Sequence, residues 1–186
     1  MLLSRAQTER LLSGTDLCPM GGYEIYTVNP DGSDLGPLSE DSPAGGFLPS
    51  WTADGTAIAY GGDDIYRANA DGTGQQQLTG TVPNEYRSDF SPTWSPDGSQ
   101  IAFAAMYRTG DRGIFVMNAD GSEEHALDIG QQRLGSETVP SWSPSGDKLV
   151  YAVYPTSGSE IYTFDLASSE EVHLTDDFAA GADGPD

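Results

Sequence analysis

The chain has 186 residues, 37% of them hydrophobic, enough for one domain that buries roughly 70% of its unfolded surface. Twenty-nine acids against eight bases leave a formal charge of −21, with 19 Asp, 10 Glu and one lysine, Lys148. A field this negative excludes nucleic acid and anionic membrane surfaces as partners, since both need basic patches, and no apolar run approaches the ~20 residues of a membrane helix. The 23 Gly and 12 Pro do not signal disorder, because the apolar residues recur in ordered short runs. Cys18 is the single cysteine, so no internal disulfide exists. The Asp-rich, Lys-poor balance resembles proteins of salt-loving organisms; an acidic secreted or periplasmic protein is the other reading.

Residues 1–22 lack the uninterrupted apolar segment of a secretory signal, because Arg5, Glu9 and Arg10 break it. A removed leader, a piece of a longer chain and a cytosolic protein all fit. From there on the chain repeats. EIYTVNPDGS (24–33) is followed by FLPSWTADGTAIAY (47–60) and DIYRANADGT (64–73). SPTWSPDGSQIAFAAM (91–106) and GIFVMNADGS (113–122) form the next pair, then TVPSWSPSGDKLVYAV (138–153) and EIYTFDLASS (160–169). Trp51, Trp94 and Trp142 open the three Trp units, 43 and 48 residues apart.

The best-preserved unit predicts four strands, here lettered A to D. Strand A precedes Trp94; SPDG supplies a Pro suited to φ near −65° and a Gly for a positive φ; strand B covers 100–105. Strand C covers 114–118, NADG closes a tight hairpin, and strand D covers 124–129. A recurring antiparallel unit of this length is the signature of a β-propeller blade, whereas a β-sandwich has no reason for the period. The expected fold is therefore all-β, a propeller of about four blades, each wedged against the next by a Trp.

P-x-W-S-P-D-G-x-x-I-A-F followed by I-F-V-M-N-A-D-G-S resembles the repeat of TolB-like propellers, a branch of the WD-type blade. The resemblance covers about residues 21–178. Thr52-Ala53 stands where the pattern has Ser-Pro, and Ser145 where SPDG has its Asp. Four C–D pairs but only three clear A–B pairs are present, so residues 1–22 are assigned to completing the first blade, 23–178 to the blades and 179–186 to a tail or linker. This implies a partial propeller, and three readings fit it: closure on itself with the tail beside the N-terminal strands, a fragment of a ring of six or more blades, or a homodimer through open blade edges.

Chemistry is hard to locate. No G-x-S-x-G elbow occurs, and His125 and His173 both fall near outermost strands, which suits surface residues. An EF-hand reading of the NADG at 118–121 fails, because its positions 1 and 12 would be Val116 and Leu127. Adjacent acids such as Asp63-Asp64 point to opposite faces of an extended chain, which suits solvated loops rather than an acid/base pair. No catalytic residue, metal or cofactor is assigned.

The blade layout puts the short A–B and C–D turns on one face and the B–C and D–A connections on the other. Four of the eight bases, Arg87, Arg108, Arg112 and Arg133, lie in the second set, with Tyr86, Phe90, Tyr107 and Tyr154. Arg and Tyr are enriched at interface hot spots, so Tyr86, Arg87, Tyr107, Arg108, Arg112 and Arg133 are the candidate binding residues for an anionic group on a protein or peptide. The alternative is that the arginines pair with Asp89, Asp111 and Glu137 beside them. The resemblance implies a non-enzymatic protein-binding module, periplasmic or extracellular. A second reading is the gating portion of a prolyl-oligopeptidase-type serine peptidase, with its hydrolase domain outside this chain. A third is a truncated reading frame with no independent role.

Overall fold

The computed structural model describes residues 10–14, 24–38, 47–80, 87–129, 139–153 and 160–175. Every regular element among them is a β-strand, and the strands form four antiparallel sheets. Blade 1 has the order β1 (Arg10–Gly14), β2 (Glu24–Val28), β3 (Gly36–Pro37). Blade 2 runs β4 (Phe47–Trp51), β5 (Ala57–Gly61), β6 (Ile65–Asn69), β7 (Gln76–Gln77). Blade 3 runs β8 (Arg87–Trp94), β9 (Gln100–Tyr107), β10 (Arg112–Asn118), β11 (His125–Ala126). Blade 4 runs β12 (Ser141–Trp142), β13 (Lys148–Val153), β14 (Glu160–Asp165), β15 (Glu170–His173). The propeller expectation holds: three four-stranded blades and one with three described strands follow each other in chain order.

The turns are built alike. In the first hairpin of blade 3, Ser95 N–H bonds Gln100 O and Gly98 N–H bonds Ser95 O, both at 2.9 Å, with Gly98 at φ +72°. Asp97 sits at the hub. It accepts the Ser95 hydroxyl at 2.6 Å, the Ser99 N–H at 3.0 Å and the Ser99 hydroxyl at 2.8 Å. In blade 4 the Asp of this turn is displaced from position 145 to 147, yet Asp147 still accepts the Ser143 and Ser145 hydroxyls. The Asn-x-Asp-Gly-Ser turns repeat the device, with Asp31 and Asp120 each taking a serine N–H and hydroxyl. The acidic turns are therefore self-capped, which accounts for their residues without a bound cation.

These bonds hold the Asp97 carboxyl at about 2, chiefly through the Ser95 hydroxyl and then the Ser99 N–H, and lower Asp31, Asp54, Asp120 and Asp147 in the same direction. A carboxylate lowered by folding stabilises the native state above its unfolded pKa, and that contribution vanishes as pH falls through the folded value. Thermal midpoints should therefore fall steeply between about pH 4 and pH 2. Asp97→Ala should flatten the fall, a comparison made by scanning calorimetry over that range.

The blades stack through one repeated contact. A cross-strand aromatic pair marks blades 2, 3 and 4: Tyr60 with Tyr66, Phe103 with Phe115 and Tyr151 with Tyr162, stacked at 5.6, 5.6 and 5.9 Å. Each pair faces the preceding blade. Phe103 and Phe115 pack on Ala57, Ala59, Ile65 and Leu78 of blade 2, and Tyr151 and Tyr162 pack on Ala102, Ile114, Val116 and Leu127 of blade 3. Tyr60 and Tyr66 meet Ile25 and Leu38 of blade 1. Rings thus enter an aliphatic wall, a shape match that a flat apolar pair could not give.

Trp142 ties blade 4 to blade 3 by donating its Nε1–H to Thr93 O at 3.1 Å. The inner strands β4 and β8 are bulged, between Phe47 and Ser50 and between Phe90 and Thr93, with Leu48 and Ser91 at φ +52° and +55°. The cause is the F-x-P-x-W pattern. A proline can sit in an edge strand only where its missing donor costs nothing, and bulges provide such positions.

Candidate binding face

Four of the six candidate residues meet at one end of blade 3. Arg87 of β8 lies opposite Tyr107 of β9 in the ladder, and Arg112 of β10 lies opposite Met106. Arg108 follows Tyr107 in the connecting turn and is exposed, as is Met106, while Tyr107 and Arg112 are half-buried. Tyr86 and Arg133 lie outside the described residues, as do Tyr154 and Glu137.

The connection itself is tighter than its sequence suggests. Tyr107 N–H bonds Asp111 O at 2.8 Å and Gly110 N–H bonds Tyr107 O at 2.9 Å, the same pattern as the short turns on the opposite face. β9 and β10 run on to residues 107 and 112, so the expected irregular loop is a hairpin with a four-residue connection, 108–111, and Gly110 at φ +90°. Gly110 supplies the left-handed position that such a turn requires.

Arg87 is differently placed from its neighbours. Its side chain is buried between blades 2 and 3, with Nε 2.7 Å from Asp89 Oδ1 and Nη2 2.6 Å from Glu124 Oε1. Its guanidinium lies 4.4 Å from the Phe115 ring centre, and Tyr107 leans on the same ring at 6.4 Å, tilted 53°. Burial opposes the Arg87 charge, but the two carboxylates outweigh it and hold the group above its ordinary pKa. Asp89 is fully buried; burial raises its pKa, and the bonds from Arg87 and Thr79 pull the other way. The pairing with Asp89 considered from the sequence is present. Glu124 and the aromatic contact are not legible in the sequence, because both come from positions far along the chain.

Two further clusters were not singled out by the sequence. Asp64, half-buried at the same end of blade 2, accepts Gln77 Nε2 at 2.8 Å, and burial followed by the charge of Asp63 raises its pKa. On the opposite face a cleft of about 260 Å³ opens between blades 2 and 3, lined among others by Asp54, Arg67, Trp94 and Asp97. Arg67 there is anchored on Ala119 O at 3.1 Å, and both carboxylates are engaged by their own turns. The two histidines fall on outer strands of different blades. His125 Nδ1 lies 2.9 Å from Glu123 O, while His173 stacks on Tyr162 at 4.4 Å. Thr175 and Glu160 both approach the same His173 nitrogen, Nε2, at 3.2 and 3.5 Å.

No protein-family model matches the chain. It is 35% identical over 74 residues to a TolB homologue of Chlorobium luteolum, a match covering 38% of this chain and 16% of that protein. An Agrobacterium tumefaciens structure assigned to TolB superposes with a TM-score of 0.73 at 23% identity, covering 92% of this chain and 62% of its own. TolB of Acinetobacter baumannii gives 0.68 at 20% identity, covering 90% and 41%. The chain thus spans less than two thirds of each of these proteins. Blade order and these superpositions show a β-propeller fold, and its repeat motif is similar to that of TolB-like proteins.

Proposed function

We propose that this chain is a non-enzymatic, protein- or peptide-binding propeller module of a periplasmic or extracellular protein. The observation that carries the reading is the end of blade 3, where Tyr107, Arg108 and Arg112 share one short hairpin with the exposed Met106. Two cations beside apolar and aromatic surface, on a rigid turn of a −21 chain, suit an acidic group flanked by apolar residues. Arg87 supports that end from beneath through Phe115 rather than offering a free charge. The gating portion of a peptidase would share this blade stack and differ in a hydrolase domain outside the chain.

The test is selection from a phage-displayed random dodecapeptide library on the immobilised protein, followed by titration of the selected peptides against Arg108→Ala/Arg112→Ala. Selected peptides should be enriched in Asp and Glu, and the double variant should bind them about tenfold or more weakly. Peptides without acidic enrichment, or with equal affinity for the double variant, would overturn the proposal.

A further inference from the structure

The seam between blades 2 and 3 departs from the seam between blades 3 and 4 at two facing positions. Two residues after the Ile of the third strand, blade 3 has Val116, buried against blade 4, and blade 2 has Arg67. Their registers match, Arg67 opposite Ala59 and Val116 opposite Ala102. Thr27 and Thr163 hold this position in the outer blades, so Arg67 is its one charged occupant. Across the seam, blade 4 packs Leu166 on the core it shares with blade 3, whereas blade 3 offers blade 2 only Ala119. These two residues are equivalent, Leu166 N–H bonding Asp147 O and Ala119 N–H bonding Ser99 O. Valine against leucine closes one seam. Arginine against alanine leaves the other open toward the short turns, as the cleft of about 260 Å³.

Polar groups are held around that space. Arg67 is half-buried; its Nη1 donates to Ala119 O at 3.1 Å, and no carboxylate among the described residues pairs with it. The bond to Ala119 pins the planar guanidinium and leaves other N–H donors for an acceptor. Asp54 and Asp97 stand at the exposed rim. Asp54 meets its own turn through Oδ1, which takes the Thr52 hydroxyl and the Thr56 N–H and hydroxyl. Its Oδ2 accepts from none of the described residues. Ala57 and Trp94 are the buried, apolar part of the lining.

A plain anion does not suit this cleft, because two carboxylates outweigh one guanidinium; a plain cation meets Arg67 as a like charge. The matching ligand carries both signs on an apolar stem. The cleft lies just below the roughly 300–1,000 Å³ of sites for drug-sized molecules, so it has room for about one residue. We propose that it binds a basic amino-acid end group, a free lysine or arginine or the C-terminal one of a peptide. The carboxylate docks on Arg67, the stem lies along Trp94 and Ala57, and the side-chain cation reaches Asp54 and Asp97. This site is on the face opposite Tyr107, Arg108 and Arg112 and is independent of them.

The experiment is isothermal titration calorimetry on the full chain in about 0.5 M sodium chloride, which screens the general attraction of a −21 chain for cations. The probes are L-lysine, its carboxamide, L-norleucine and the tripeptide Gly-Gly-Lys. Lysine, the tripeptide or both should bind with a Kd of about 1 mM or below. Binding of the tripeptide alone assigns the site to peptide ends, and binding of lysine alone to the free amino acid. The carboxamide lacks the carboxylate and norleucine the side-chain cation, so each should bind about tenfold or more weakly. Arg67→Val and Ala119→Leu give this seam the residues of the next one, and each should weaken binding about tenfold or more. Circular dichroism checks that they fold; where one does not, Asp54→Asn, which keeps the Oδ1 contacts, replaces it with the same expectation. No heat from lysine or the tripeptide up to about 10 mM overturns the proposal. So does equal affinity for the carboxamide, or unchanged affinity in the folded variants.

Discussion

Replacing Arg87 with methionine is expected to destabilise the protein by about 3–5 kcal/mol, read from urea unfolding. Methionine keeps most of the stem's apolar contact with Phe115 but removes the cation paired with Asp89, whose side chain is almost wholly buried. A buried carboxylate stripped of its partner retains its desolvation cost and loses the attraction that offset it. Glu124 loses the same partner but is partly exposed, so its share is smaller.

The pH dependence gives the cause a signature. Without Arg87 the folded pKa of Asp89, already raised by burial, rises further. The native state then binds that proton more tightly than the unfolded chain does, so the variant should recover stability as pH falls from 7 toward about 4. This window lies above the one in which the turn aspartates titrate, so the two trends are separable. Arg87→Met/Asp89→Asn should regain more than half of the loss at pH 7. A variant with unchanged stability, or with no recovery on acidification, would show that the buried pair contributes nothing. The same reasoning governs binding experiments: loss of affinity on altering Arg87 would report a weakened blade interface, and only Arg108 and Arg112 test the face itself.

Features set by neighbours in sequence were legible before the structure. The turns qualify, because Ser95, Asp97, Gly98 and Ser99 satisfy one another within five residues. The count of about four blades followed from the four C–D hairpins, at 24–33, 64–73, 113–122 and 160–169, for the same reason. The inner-strand bulges have a local signal as well, since Pro49 and Pro92 interrupt runs that otherwise read as strand. Arg87 was out of reach. Its position in a loop-like, polar segment suggested a surface residue, and its burial depends on Glu124, 37 positions away, and on Phe115 across two strands. The hairpin at 107–111 was obscured in a similar way. Polar residues there suggested irregular chain, whereas strand pairing continues regardless of side-chain polarity at the end of a sheet.

The aromatic pairs make the second large effect. Phe103→Ala should cost about 3–5 kcal/mol, more than truncation at any exposed apolar position of blade 4. Phe103 is fully buried on the central strand β9, stacked on Phe115 from one side and set against the alanine-rich wall of blade 2 from the other. The ring cannot be replaced by collapse. Gly113 already packs so close beneath Phe115 that an added methyl would meet its ring at 3.0 Å, so that ring is held in place and the space left by Phe103 stays open. Alanine at residues 57 and 59 leaves no long side chain on the facing wall to lean in. At roughly 2–4 °C per kcal/mol for a chain of this size, the loss is plainly visible in a thermal melt. Phe103→Leu, which refills most of the volume without a flat ring, should cost markedly less, the difference reporting the stacked pair. The blade 4 equivalent of Ile114, Ile161, supplies the internal contrast: Ile114→Ala should cost about 2–5 kcal/mol wherever the protein is measured. Ile161→Ala, at a position 40% exposed, should cost markedly less. Equal costs for Phe103→Ala and Phe103→Leu would mean that filling this blade interface takes no more than apolar volume, and that the repeated ring pair has no energetic weight of its own.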